Sequence, residues 1–137
     1  MKKYIFPTLL IVWFLTYTFP FNHGVNEKTY QMTTYSGIAW IIMHWPLFLI
    51  LALLFTAYFL VKNQKLSSAI SIVLILFMIY IITLPFHLNF FALGWETTKV
   101  ALDSMLKLLQ FGYYLNFVLG FLIILLIIRN KFVKKKN

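Results

Sequence analysis

Four long apolar stretches divide the chain, at residues 4–21, 38–61, 69–93 and 111–128, with polar or basic segments between them. Each is close to or above the ~20 residues a helix needs to cross a hydrocarbon core. The second and third carry no formal charge. A closed β-barrel is the other structure that satisfies its backbone inside lipid. Its strands alternate apolar and polar positions over about ten residues, whereas these stretches are apolar on every face. The pattern predicts an all-α membrane protein: one domain over residues 1–137, built as a bundle of four transmembrane helices. Lys2 and Lys3 ahead of the first stretch also fit the start of a signal peptide. That stretch closes on Tyr17-Thr18-Phe19-Pro20-Phe21. A cleavage site wants small side chains there, so the segment is expected to stay as an anchor.

The segments between the stretches differ in pattern. Residues 22–37 are polar, with Gly24, Asn26, Thr33, Thr34 and Ser36, and are expected to form an irregular loop. Residues 96–110 have a helical period. Leu102, Met105, Leu106 and Leu109 fall at i, i+3, i+4 and i+7, while Lys99, Asp103 and Lys107 follow at spacing four on another face. This predicts an amphipathic helix over about 97–110, capped by Thr97 or Thr98 and ended near Gly112. Its apolar stripe can rest in lipid, pack across the bundle or meet a partner.

Charge then sets an orientation. With four spans, one side holds Lys2, Lys3, Lys62, Lys65, Arg129, Lys131, Lys134, Lys135 and Lys136 and no acid. The other side holds Lys28, Lys99 and Lys107 against Glu27, Glu96 and Asp103. The positive-inside rule puts the basic side, and with it both termini, in the cytoplasm of a multi-pass cell-membrane protein. The amphipathic helix then belongs to the second outer loop. The tail at 130–137 reads as a stop-transfer anchor or as a tether to anionic lipid.

Composition agrees. The chain is 62% hydrophobic and 11% charged, a balance that excludes a soluble domain. A net charge of +9 raises the question of nucleic acid, but the basic residues flank apolar runs instead of forming a stripe. The bilayer is therefore the expected partner, and nucleic acid is not. There is no cysteine, which removes disulfides and thiolate metal sites.

Candidate chemistry gathers on the outer side. The leucine stripe with Trp40, Trp45 and Trp95 makes the expected partner-binding set, although an aromatic belt at the membrane surface accounts for many of the rings. His23, His44 and His87 all fall toward that side, and Asn116 lies inside the fourth stretch. His44 is expected roughly 10 Å into the second span, counting about 1.5 Å per residue. Asn116, Thr16 or Thr83 would satisfy it, as would the carbonyl of Ile42 that Pro46 frees at a kink. The three imidazoles also suit zinc, copper or haem, but their spacings match no metal motif, and no cofactor is expected. No carboxylate lies in a span, and no P-loop, HExxH or GxSxG occurs. The chain is therefore expected to be non-enzymatic. The first expectation is an accessory, interaction or immunity-type protein acting through its outer face on a protein partner. The alternatives are a transporter or lipid-linked-sugar flippase subunit working as a homo-oligomer, and a metal- or haem-binding protein using the histidines.

Overall fold

The first apolar stretch is helical only in part. In the computed structural model, which describes residues 2–26, 28–87 and 95–133, α1 runs Lys2–Leu15 and tightens into a 3₁₀ turn at Thr16–Thr18. Phe19 is extended and Pro20 opens a strand, because the residue before proline is pushed out of the helical region. Phe21, expected at the end of a span, therefore belongs to the next element.

That element corrects an expectation. Residues 22–37 are not an irregular loop but part of a β-hairpin, with β1 at Pro20–Val25 and β2 at Met32–Ser36. The strands pair antiparallel, His23 opposite Thr34 and Val25 opposite Met32, with an irregularity between Pro20 and Asn22. Thr33, Thr34 and Tyr35 are β-favouring side chains. The tip is organised by Asn26. Its Oδ1 accepts from the Lys28 N–H at 2.9 Å, and its carbonyl accepts from the Tyr30 N–H at 2.7 Å. Tyr30 closes the turn with φ 53°.

The second stretch is broken. Short α2 (Gly37–Met43) meets α3 (Trp45–Leu60) at 95°, with His44 between them. The expected single helix over 38–61 fails at Pro46, which has no N–H for the Ile42 carbonyl and whose ring crowds it. The anticipated kink is thus a full corner. The third helix begins earlier than expected. In α4 (Gln64–Ile82), Asn63 caps the start by accepting from the N–H groups of Lys65 and Leu66 at 3.1 and 3.3 Å. The helix stops before Pro85, which sits in a 3₁₀ turn at Leu84–Phe86. Residues 88–93, the expected end of this span, lie outside the described residues, as does the tail from 134.

The amphipathic helix is α5 (Trp95–Leu108). It starts before Thr97 and Thr98, so neither is its cap. It ends at Leu108 and not near Gly112, which instead lies in the first turn of α6 (Phe111–Ile128). A π-helical turn, Arg129–Val133, follows.

Helix α4 lies between α3 and α6, and α6 lies between α4 and α1. Neighbouring directions alternate. Phe6 near the start of α1 meets Tyr58 and Phe59 at the end of α3, each at 5.6 Å between ring centroids. Tyr17 beyond the other end of α1 meets Phe48 near the start of α3. Two ends result: a hairpin end, and a tail end where α6 finishes beside the start of α4. Trp13, Leu51, Leu74, Met78, Ile123 and Ile127 are fully buried between the helices, while Leu53, Leu76 and Phe121 are exposed on the outside. Among the described residues two helices, α4 and α6, are long and apolar enough to cross a membrane, and the bent pair α2–α3 makes a third if it is one span. Apolar α1 with its 3₁₀ turn is shorter.

Candidate functional site

Helix α5 is fastened to the hairpin at one point. The Gln110 N–H donates to the Phe21 carbonyl at 2.7 Å, and Leu109 bridges Asn22. This junction divides the apolar stripe. Leu109, just past the helix, is buried in the core, and Met105 is half-buried. Leu102 and Leu106 are 39% and 42% exposed, and neighbouring Val100 is 66% exposed. Leu109 alone of the stripe enters the core, Met105 is partly covered, and Leu102 and Leu106 stay exposed. On the polar face Lys107 pairs with Asp103 at 2.7 Å, the i,i+4 contact its spacing implied, with both side chains in the open.

The hairpin repeats the division between packed base and open end. Phe21 is 3% exposed, with its ring against Tyr17, Trp40 and Tyr113. Gly37 makes room for it: a Cβ there would stand 2.6 Å from the Phe21 ring. At the other end Val25, Met32 and Tyr30 are exposed, Tyr30 at 85%. Apolar groups thus stand out on both elements at this end of the molecule.

Between β1 and the α2–α3 corner is a cleft of about 630 Å³. Asn22, Lys28, Tyr35, Trp40 and His44 line it. Trp40 is held by its Nε1–H, which donates to Asn22 Oδ1 at 2.9 Å. The Tyr35 ring lies across Gly24, where a Cβ would be 3.0 Å from its Cε2. Asn22, Tyr35 and Lys28 carried no signal in the sequence. They look like loop residues until the hairpin pairs Asn22 with Tyr35 and places Lys28 in its turn.

The remaining expected residues fall as follows. Trp45 is 61% exposed at the start of α3, and Trp95 opens α5. His44 is half-buried with its ring 5.9 Å from Trp40. It sits at a corner instead of inside a straight span, and neither Asn116, Thr16 nor Thr83 is its partner. Asn116 is buried between α1 and α6, where its Nδ2 donates to Thr16 Oγ1 at 2.8 Å. Thr83 Oγ1 pairs with His87 Nε2 at 2.9 Å, and the His87 ring lies 4.4 Å from Tyr80. His23 Nδ1 pairs with Thr34 Oγ1 at 2.9 Å, across the hairpin. Each histidine has its own local contact. Among the described residues no three His, Asp or Glu side chains converge on a point that suits a metal ion. Comparison with protein-family models, curated proteins and solved structures finds no match to this chain.

Proposed function

We propose that the chain is a four-span protein of the cell membrane, with both termini cytoplasmic, that acts without catalysis as an accessory or interaction subunit. The hairpin end faces outward and receives a protein partner. The observation that carries the reading is the divided stripe of α5: a helix pinned at Leu109 and Gln110 that leaves Val100, Leu102 and Leu106 uncovered. Apolar area left in water costs roughly 25 cal/mol per Å². The exposed tip residues Val25, Tyr30 and Met32 extend the apolar surface onto a second element, as an aromatic-centred interface needs. Lipid alone is a weaker account, because Tyr30 stands on a turn whose base is packed on the bundle.

The four-span part rests on the alternating helix directions and on nine basic residues at one side with no acid among them. Helix α1 with its 3₁₀ turn reaches about 25 Å, taking about 1.5 Å per residue, and local thinning of the bilayer accommodates a span of that length. The non-enzymatic part is supported by the buried hydroxyls of Thr16 and Ser71, which donate to backbone carbonyls at 2.6 and 2.7 Å within their own helices.

One observation favours a second reading. The cleft beside Trp40 combines two aromatic rings, an amide and an ammonium group, a set that suits a phosphorylated sugar. That is the chemistry of a lipid-linked-sugar flippase subunit acting as an oligomer. Native mass spectrometry of the protein purified in mild detergent separates the two. A different protein chain, lost in Leu106→Asp, supports the first, and a homo-oligomer carrying lipid-linked cargo supports the second.

A further inference from the structure

At the tail end, the turn between α3 and α4, the first turns of α4 and the π-helical turn that follows α6 border a second cleft, of about 550 Å³. Its wall carries Lys62, Gln64, Ser67, Ser68, Asn130 and Lys131. Lys131 is fixed in place. Its Nζ donates to Ser67 Oγ, and it lies 5.0 Å from the centre of the Tyr58 ring. Ser67 itself is 3% exposed, and its carbonyl accepts from Ser71 Oγ at 2.7 Å. The ammonium group is thus held at the cleft wall by a buried hydroxyl and an aromatic face, and an ammonium has three N–H donors, of which Ser67 takes one.

Among the described residues no carboxylate is paired with Lys131 or lines the cleft. The three acids of the chain are Glu27, between β1 and β2 in sequence, and Glu96 and Asp103, both in α5. Asp103 is already paired with Lys107. A cleft with two lysines, amides and hydroxyls, and no acid in the adjoining segments, is complementary to a compact oxyanion. Charge-assisted hydrogen bonds from lysine to phosphate are among the stronger polar contacts. On the membrane reading above, the cleft lies where the cytoplasmic leaflet carries its headgroups, and that leaflet is rich in anionic lipid.

We propose that this cleft binds a single phosphate group, supplied in the membrane by the headgroup of an anionic phospholipid. Lys62 and Lys131 carry the charge, while the side-chain amides of Gln64 and Asn130, which also line the cleft, contribute N–H donors. This differs from diffuse attraction by the basic tail, because it places one headgroup between the α3–α4 turn and the end of α6.

The test uses the full chain in neutral detergent, so it does not depend on the assigned topology. Phosphatidylglycerol, phosphatidylcholine or inorganic phosphate is added, and thermal melting and lipid adducts in native mass spectra are followed. Phosphatidylglycerol is expected to raise the melting temperature and to give a single-lipid adduct, with zwitterionic phosphatidylcholine much weaker. A comparable rise with inorganic phosphate alone supports the cleft and names free phosphate as its ligand. Lys62→Gln combined with Lys131→Gln should weaken binding roughly 30-fold, taking each lysine near the surface as worth about a factor of five. Lys62→Gln alone, at an exposed position, should weaken it about fivefold and guards against misfolding of the double variant. Equal response of the double variant and the parent overturns the proposal. So does a Lys134→Gln, Lys135→Gln, Lys136→Gln variant that loses as much as the cleft variant, since the attraction would then belong to the tail.

Discussion

Trp13 donates its indole N–H to the backbone carbonyl of Asn116 at 3.0 Å, across the packed faces of α1 and α6. The side chain of Asn116 returns the link to α1 by donating to Thr16 Oγ1, and Thr16 in turn donates to the Trp13 carbonyl. Three buried polar groups are thereby satisfied inside an apolar bundle, where leaving any of them unpaired is costly. The same crossing needs Gly120. A Cβ there would stand 2.7 Å from Ile82 Cγ2 and 3.1 Å from Trp13 Nε1.

Gly120→Ala should therefore lower stability by about 1–3 kcal/mol, the usual range for overpacking. Thermal melting in mild detergent reads it. Adding Ile82→Ala should give a smaller loss than the two single effects summed, because the methyl that clashes is gone. Additive losses would mean that α4 and α6 are further apart than described.

Asn116→Ala should cost more than His44→Ala. Intramembrane hydrogen bonds are individually modest, on the order of 1 kcal/mol, but Asn116 is 2% exposed, and truncating it leaves a cavity and removes the side-chain link from α6 to Thr16. His44 is half-buried at the α2–α3 corner, with its ring beside Trp40. A melting series that ranks His44 above Asn116 would place the histidine deep in the bundle after all.

At the hairpin, Phe21→Ala should cost about 3–5 kcal/mol, as expected for a truncated buried ring. Tyr30→Gly should do the opposite and raise stability by about 1 kcal/mol. It relieves a left-handed backbone position that side chains with a Cβ adopt at a cost. If Tyr30→Gly melts below the parent, its ring contributes packing that its 85% exposure denies.

Those two residues also show what was legible in the sequence. The helical character of the apolar runs was, and 111–128 matches α6 residue for residue, whereas the run 4–21 leaves the helix after Leu15 and the run 38–61 is broken at His44. The amphipathic helix was legible from four residues at helical spacing, though its fourth, Leu109, packs in the core past the helix end. The hairpin was not. Its strands are short, and their polar threonines and glycine match loop composition; register with a partner strand, which a single segment does not display, is what makes them a sheet. The corner at His44 was half legible: Pro46 marked the place, but proline alone does not set an angle of 95°. The two clefts were invisible, since Asn22 with Trp40 and Ser67 with Lys131 come together only through chain reversal.

The absence of cysteine makes orientation testable with single replacements. Thr33→Cys in β2 and Ser104→Cys in α5 should react with an impermeant thiol reagent in intact cells. Gln64→Cys, exposed at the start of α4, should react only after the membrane is opened. Labelling of Gln64→Cys from outside would remove the four-span topology while leaving the helix packing intact.

Leu106 and Leu109 belong to one stripe but not to one environment, and this gives the partner reading an internal control. Leu109 is 7% exposed and packs in the core, so Leu109→Asp buries an unpaired carboxylate and should unfold or strongly destabilise the protein. The Leu106 side chain is 42% exposed, and the one bond at this residue, from the Tyr114 hydroxyl, goes to its backbone carbonyl, so Leu106→Asp should melt close to the parent. If a protein covers the stripe, the Leu106→Asp variant loses that partner, and with it any activity, while remaining folded and inserted. If lipid covers it, partners are retained and α5 becomes more accessible to solvent, which hydrogen exchange over Trp95–Leu108 detects. If the chain itself covers it, Leu106→Asp behaves like Leu109→Asp. The exposure difference between the two leucines disfavours the last outcome, and the exposed Val25, Tyr30 and Met32 beyond the hairpin base favour the first. A Leu106→Asp protein that is stable and still holds every partner would remove the outward-facing interaction surface as the working part of the molecule.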